Sequence, residues 1–553
     1  MASNSITVPD GFTLHTENNS HILLSANEAF LNPVQEFNRD TSIACIRVWS
    51  EELEKVKQEK WLQTQDRQAK KKSKRPKLDP DASVGAAETA SKSSETTNVA
   101  PSLEPKPYVS YGYVVLEALS ATGLRSIRYA KEIPLVRHVI ANDLSSAATA
   151  AMKRNIDLNG LGPSPENKDG KIRVNEGDAC TLMYNHREAA KRVHVVDLDP
   201  YGTAAPFIDA AVQCILDDGL LCVTCTDLTV LATANYPEKC FSNYGGVPLR
   251  AEYCHEAALR LVLHSVSTSA ARYGRYIQPL LSLSIDFYVR LFIRVRSSPL
   301  EVKKAVTKTS TYWICTNCQT HYEQPLAKVT EKVHERGNVN YQFKLSTGPP
   351  VMDKCPECDS VLHVAGPMWS APIHDPDFVG KVLEHLEDNQ TFYGTAARMK
   401  GMLTVAKEEL VDCPFYFTPT RVAGFFHCET PSLVDVASAL LHAGHKISRS
   451  HTTPGSIKTT ASRAELYDIF RSWIKLHPVK RENLSANSPA HRLLDKELRV
   501  EADFTQHPDA IPFTRAAKIK LVRYQENPAP YWGPGTKAVS GTTGSKRKRG
   551  QEE

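Results

Sequence analysis

The chain has 553 residues, 41% hydrophobic and 23% charged, with 13 cysteines and a formal net charge of +5. That length exceeds a single core and implies about three structural units. The composition excludes a fibrous or wholly disordered protein. The longest apolar runs, such as LLSLSIDFYVRLFI, are broken by polar residues short of the roughly 20 that cross a bilayer.

Asp10 and Glu17 precede the first Lys or Arg, Arg39. This start fits neither a secretory signal nor an Arg-rich, acid-poor transit peptide, so cytosol or nucleus is expected. In that setting the odd cysteine count points to reduced thiols and metal ligands rather than disulfides. Residues 66–106 are rich in Lys, Ser, Pro, Thr and Glu and poor in large apolar groups; a disordered basic insertion is expected over 50–106. A second such segment is the tail 536–553, ending GSKRKRGQEE. Each carries a basic cluster, Lys70–Lys77 and Lys546–Arg549, which alone reads as a solvated charge run. Two in one chain point to importin binding and a nuclear address.

Between residues 112 and 230 strand-like runs alternate with helix-like ones. YVVLEAL, HVIAND, IRVNEG, VHVVDLD and LLCVTCTD are separated by TGLRSIRYAKEI, SSAATAAMKRNIDLNG and TAAPFIDAAVQCILDDG. Nearly continuous apolar strands belong to a parallel sheet covered by helices on both faces, so the expected class is α/β, doubly wound and Rossmann-like. Ligands in such folds sit at the carboxyl ends of strands, where this chain places Glu117, Asp143, Asp178 and Asp199.

The loop after the first strand, LEALSATGLRS, has Gly123 among small residues but no G-x-G-x-x-G, so it is a poor pyrophosphate cradle. Asp143 stands where an acid binds ribose hydroxyls, although NDLSS would also start a helix. Asp178 is placed to meet an adenine edge. A ribose without a pyrophosphate suggests S-adenosylmethionine.

DPYG follows the fourth strand. The lone pair of an exocyclic nucleobase amine is delocalised into the ring, and the nitrogen gains positive charge as it attacks a methylsulfonium. The Asp199 carboxylate and the Pro200 carbonyl would accept its N–H bonds and offset that charge. Tyr201 offers a stacking face and Gly202 room for approach. The bland alternative is a strand-to-helix turn with Asp as cap and Pro in the first turn. Asp197, on the same strand face as Asp199, is a second carboxylate or an orienting partner.

Cys315-x2-Cys318 and Cys355-x2-Cys358 suit structural Zn²⁺, with Pro356 tightening the second turn, a small hairpin filling the gap, and His363 as a spare ligand. Cys222 and Cys225 share the spacing, but on a buried strand they face opposite sides and are core. Beyond, FYFTPT, SLVDVASALLHAG and SRAELYDIFRSWIKLHP predict a second, smaller zinc-containing α/β domain. SRSHTTPGSIKTT reads as a hairpin that lies along phosphates through Arg449, His451 and Lys458, or as a merely exposed polar hairpin.

Together, LNPVQEFNRDTSI (31–43), EALSATGLRSIRYAKE, ANDLSSAA, NEGDA, DLDPYGTAAPFID, the cysteine pairs and QENPAPYWGPGTKA (525–538) resemble the tRNA guanine-26 N2-dimethyltransferases. The resemblance implies a class I S-adenosylmethionine-dependent domain that methylates the exocyclic amine of guanine 26 in tRNA, usually twice. It also implies that Arg39 and Arg125 contact the cofactor, Arg39 at its methionine carboxylate. Asp143 and Asp178 with Ala179 would hold ribose and adenine, and Asp199 would be the catalytic acceptor. Tyr201 stands where some members carry Phe.

The expected division is an N-terminal segment of the catalytic domain (1–49), the insertion (50–106), the methyltransferase domain (107–300), a zinc-containing tRNA-binding domain (301–535) and the tail. The base would be flipped out of the tRNA stack while the second domain grips the tRNA body. Two rivals stand beside this reading: an amino-methyltransferase for another nucleobase, and a zinc-containing RNA-binding protein with a dead methyltransferase fold. A nuclear enzyme with a mitochondrial pool is the expected distribution.

Overall fold

The computed structural model describes residues 6–25, 31–73, 107–335 and 337–511. A hairpin of β1 (Phe12–Glu17) and β2 (Ser20–Ser25) leads to α1 (Glu36–Ser73). The first turns of α1 bury Phe37, Ile43, Ile46 and Trp49. The helix then continues as a charged, largely exposed rod, so residues 50–73 of the expected insertion are helical. Residues 74–106, the 525–538 motif and the tail with its basic cluster lie outside the described residues.

The central sheet is built from β3 (Tyr113–Glu117), β4 (Val136–Asp143), β5 (Ile172–Glu176), β6 (Val193–Leu198), β7 (Ile215–Cys225), β8 (Arg275–Ile285) and β9 (Tyr288–Ser297), in the order β5-β4-β3-β6-β7-β9-β8. The first five strands are parallel; β9 runs antiparallel to both β7 and β8. This is the doubly wound order with a reversed last strand inserted before the edge. The connecting helices are α2 (Leu124–Glu132), α3 (Ser146–Leu158), α4 (Ala179–Asn185), α5 (Ala205–Cys214), α6 (Leu228–Leu231), α7 (Pro237–Tyr244) and α8 (Cys254–Ala271).

Strand alternation splits the core in two. Leu116, Val196, Leu198 and Val223 pack on one face with α5 and α8. Val115, Val195, Leu220 and Cys222 pack on the other with α1 and α2. Cys222 and Cys225 fall on opposite sides, as their spacing on a strand requires. The helix expected over TAAPFIDAAVQCILDDG stops at Cys214, because Ile215 pairs with Val193 and Gly219 with Val295, drawing ILDDG into β7.

α9 (Pro299–Lys304) leads into β10 (Thr309–Cys315), β11 (His321–Pro325), β12 (Ala327–Val333), β13 (Val339–Leu345) and β14 (Leu362–Trp369). The sheet β11-β10-β14 carries the cysteine pairs, and β12–β13 is the hairpin that fills the gap between them. α10 (Pro376–Asp388) and α11 (Ala396–Glu408) pack back onto the central sheet in the α1 core, so the two halves of the chain share a hydrophobic interior. Beyond α11 the chain is mainly helical. The expected FYFTPT strand reduces to a single bridge from Phe417 to Ile457, and the only further ladder among the described residues joins β15 (Ile447–Ser448) to β16 (Lys458–Thr459). No described helix is long and apolar enough to cross a membrane.

Burial holds four histidines neutral: the pKa values of His138, His194 and His264 are pushed down to about 4 and that of His321 to about 3. Below the unfolded value of about 6.5 the unfolded chain takes up protons that the folded chain refuses, so stability is full above that pH and falls as pH drops towards 4. Each histidine contributes about 1 to 2 kcal/mol between pH 7 and 5. Glu117, pushed by burial to about 8, binds its proton in the folded state and offsets roughly one histidine over the same range. Urea midpoints measured from pH 7 to 5 should fall steadily; a flat profile would show that these imidazoles are charged in the folded protein.

Candidate active site

The carboxyl ends of β3, β4 and β6, with the loop after β5, open onto one cavity of about 590 Å³. The turn after β3 depends on Gly123, which sits at φ 80°, and an added Cβ would lie 2.7 Å from Met152 Cγ. This lets the turn fold tightly over α3. Asp143 then fastens it, its Oδ2 accepting from the Ala121 N–H and its Oδ1 from the Ser145 N–H, both at 2.9 Å. Ser145, not Asp143, caps α3. Asp178 does cap its helix, with Oδ1 accepting from the Thr181 N–H at 2.7 Å.

All eight residues expected to serve catalysis or cofactor binding line this cavity: Arg39, Arg125, Asp143, Asp178, Ala179, Asp199, Pro200 and Tyr201. Their partners were less foreseeable. Glu17 of β1 accepts from Arg39 Nε at 2.8 Å and Nη2 at 2.5 Å, and Arg128 donates to the same carboxylate at 3.0 Å. Arg125 donates through Nη2 to Asp199 Oδ2, and its guanidinium lies 3.6 Å from both Glu117 and Asp197.

Asp197 is fully buried and is not part of the cavity lining; Arg290 of β9 donates to both of its oxygens at 2.7 and 3.0 Å, and Tyr129 donates at 2.5 Å. Burial alone would raise its pKa, but Arg290 and Arg125 hold it below the usual carboxylate range. It therefore supports the floor of the site. Burial raises Glu117 to about 8, so at neutral pH it is largely protonated and the cations Arg125 and Arg290 are balanced by Asp197 and Asp199.

The sequence reading missed two further aromatics of the DPY cavity. Phe287 and Tyr288, at the β8–β9 turn, line the same cavity; Phe287 is 45% exposed and Tyr201, also in the lining, 44%. Asp286 in that turn adopts φ 45° and accepts from Arg398 of α11 at 2.7 Å, so the second half of the chain braces the cavity mouth. The only signal in the sequence was an Asp followed by two aromatics at a break in the longest apolar run.

The four thiols of Cys315, Cys318, Cys355 and Cys358 are buried, with Sγ separations of 3.3 Å for Cys315–Cys358 and 3.7 Å for Cys318–Cys355, and all four lie within 4.8 Å of one another. A tetrahedral ion with bonds of about 2.3 Å spaces its sulfurs by about 3.8 Å, so the set fits Zn²⁺. His363 is exposed on β14 and does not belong to it.

The phosphate-binding reading is corrected at His451 and Lys458. Lys458 is 1% exposed and pairs with Glu409 at 2.8 Å and Glu256 at 3.0 Å; His451 is 2% exposed and bonds Glu409 at 2.7 Å. Arg449 is half-buried and lies near Glu408. Lys458 and His451, buried against these carboxylates, are not available to RNA. Nor is the His374–Glu409–His451 group a metal site: His374 Nδ1 accepts from the Ser282 N–H at 3.3 Å and His451 Nε2 from the Ser284 N–H at 3.2 Å. Each ring thereby commits its lone pair to β8 and presents an N–H to Glu409.

The sheet order, the acid-bearing strand ends and the cavity above them define a Rossmann-like methyltransferase fold. A family profile described as N2,N2-dimethylguanosine tRNA methyltransferase matches residues 11–471, and the chain belongs to that family. A Drosophila melanogaster relative named tRNA (guanine(26)-N(2))-dimethyltransferase is 42% identical, covering 95% of this chain and 86% of its own length. One from Saccharomyces cerevisiae, named as the mitochondrial form, is 38% identical over 95% and 92%. The solved structure of Trm1 from Pyrococcus horikoshii with S-adenosyl-L-methionine shares the fold, with a TM-score of 0.60 and 24% identity, covering 82% of this chain and 98% of that one.

Proposed function

We propose that the protein transfers methyl groups from S-adenosylmethionine to the exocyclic N2 of guanine 26 in tRNA. The observation that carries this reading is one cavity joining nucleoside-type strand ends to Asp199, Pro200 and a pair of half-exposed aromatic rings. Asp143 Oδ1 and Oδ2 already order the turn, so its carboxylate is held rigid for a ribose, while Asp178 spends Oδ1 on its helix and keeps Oδ2 for an adenine or ribose group. Arg39 has Nε and Nη2 committed to Glu17, leaving Nη1 for a carboxylate. S-adenosylmethionine, when bound, supplies the electrophilic methyl group.

The chain's own residues prepare the acceptor. Tyr201 and Phe287 supply two faces for a flipped guanine. Arg125 engages Asp199 Oδ2 and fixes the rotamer, so Oδ1 accepts one N–H of the amine and the Pro200 carbonyl accepts the other. These acceptors offset the positive charge that grows on nitrogen, and the carboxylate takes the departing proton.

The test is to incubate the purified chain with unmodified tRNA and labelled S-adenosylmethionine, digest the RNA and identify the nucleoside. N2,N2-dimethylguanosine at position 26 is expected. N6-methyladenosine would move the activity to another base, and bound tRNA without transfer would leave a dead methyltransferase fold that binds RNA. The basic clusters at 70–77 and 546–549 support importin binding and nuclear entry. A tagged chain with both clusters replaced should lose nuclear accumulation, and unchanged distribution would remove that assignment.

A further inference from the structure

We propose that the outer face of the β12–β13 hairpin binds the phosphodiester backbone of tRNA. This rests on the tRNA reading above and names a contact outside the catalytic cavity. In the register of this hairpin Lys328 faces Lys344, Thr330 faces Gln342 and Lys332 faces Asn340. Cross-strand partners and every second residue share a face, so three lysines, two amides and a hydroxyl make one surface without a carboxylate. Lys328, Lys332, Lys344, Thr330 and Asn340 are exposed.

The other face has a different chemistry. Val329, Tyr341 and Phe343 are partly buried there, and Lys304 Nζ lies 5.0 Å from the centre of the Tyr341 ring. Glu331, the only acid in either strand, belongs to this body-facing side. The hairpin thus sorts its residues: the apolar groups and the single carboxylate on one face, packed on the protein at Val329, Tyr341 and Phe343, and the lysines on the other.

Two lysines directly opposite one another destabilise a ladder. No described carboxylate pairs with Lys328, Lys332 or Lys344 to offset that cost, whereas a polyanion would. Lys328 and Lys332 lie about 13 Å apart along the strand, a spacing that engages separate phosphates, and the Asn340 and Gln342 amides on the same face can donate to phosphate oxygens or ribose hydroxyls. A membrane surface would instead call for apolar side chains on the same face, but Val333 and Leu345, 71% and 84% exposed, lie on the opposite one. The burial of His451 and Lys458 removed the phosphate contacts expected from sequence, and this face supplies replacements.

The experiment compares the full chain with K328A/K332A/K344A and the matching triple arginine variant. All three positions are exposed, so S-adenosylmethionine affinity should not change and the melting temperature should not fall. The alanine variant should raise the KM for tRNA about tenfold or more with kcat at saturating tRNA within about twofold. It should also lower the slope of log affinity against log salt by about 2. The arginine variant should behave as wild type. A tRNA KM and salt slope unchanged in the alanine variant, beside a wild-type chain that binds and methylates tRNA, would overturn this proposal alone. A wild-type chain that fails to bind tRNA would overturn the functional reading and this proposal together. Loss of binding to anionic vesicles or an acidic peptide, with tRNA affinity intact, would give the face to that partner instead.

Discussion

Asp199→Ala is expected to lower methyl transfer at saturating tRNA and S-adenosylmethionine by about 10² to 10⁴-fold while changing cofactor affinity by no more than a few-fold. The size follows from removing a charged acceptor aimed at developing positive charge and a proton acceptor together. The split between rate and binding follows from the geometry. Asp143, Asp178 and the Gly123 turn, which shape the nucleoside end of the cavity, are fastened by backbone N–H groups of their own loops and helices rather than by Asp199. Arg125, on losing Asp199, keeps Asp197 at 3.6 Å, and Glu117 at the same distance can release its proton to balance the charge. Asp199→Asn separates the two contributions: it retains an oxygen acceptor but neither charge nor basicity, and it should fall closer to alanine than to wild type. A variant with wild-type turnover would take Asp199 out of the mechanism. A cofactor affinity lost in parallel with the rate would make it a binding residue.

The strand ends were legible because a parallel sheet brings them together regardless of what the loops do. Glu117, Asp143 and Asp199 could be assigned to one edge from the alternation of apolar runs with helix-like runs, and the structure gathers them around one cavity. The cysteine knuckles were legible because ligand spacing is local. What failed is long-range pairing of charge. SRSHTTPGSIKTT is polar as a string, but whether Lys458 faces water depends on Glu256 and Glu409, which come from α8 and the end of α11 and meet it in the interior. The guanidinium of Arg39 was assigned to a ligand alone, because nothing marks Glu17, on a short hairpin strand, as its partner. Likewise Phe287 reaches the cavity only because β8 and β9 fold back beside β7, a pairing that an unbroken apolar run does not reveal.

Cys355→Ser should lower the melting temperature by about 10 °C or more and abolish stoichiometric zinc. The four thiols are not a surface clip; they sit in a buried cluster with Phe417, Phe426, Leu440, Tyr467 and Phe470 of the C-terminal helices. Tyr467 donates to the Cys318 carbonyl at 2.7 Å and shares a hydrogen bond with Thr320 at 2.9 Å, so the first knuckle also orders the helix Arg463–Leu476. Without the ion, thiolates packed at 3.3 to 3.7 Å would repel, and thiols would have to hold the two knuckles together by weak S–H contacts alone. Structural zinc contributes to folding free energy directly, on the order of 10 kcal/mol in small zinc modules. Even a few kcal/mol lost from a unit of about 200 residues moves its melting by roughly 10 °C. Because Gln319 of the same loop accepts from Glu252 N–H at 2.9 Å and from the Tyr253 hydroxyl at 2.8 Å, the loosening should reach the start of α8 and reduce tRNA turnover as well. The decisive comparison is zinc content and melting of wild type and variant side by side. One zinc per chain and unchanged melting in Cys355→Ser would show that the four sulfurs do not act as a set.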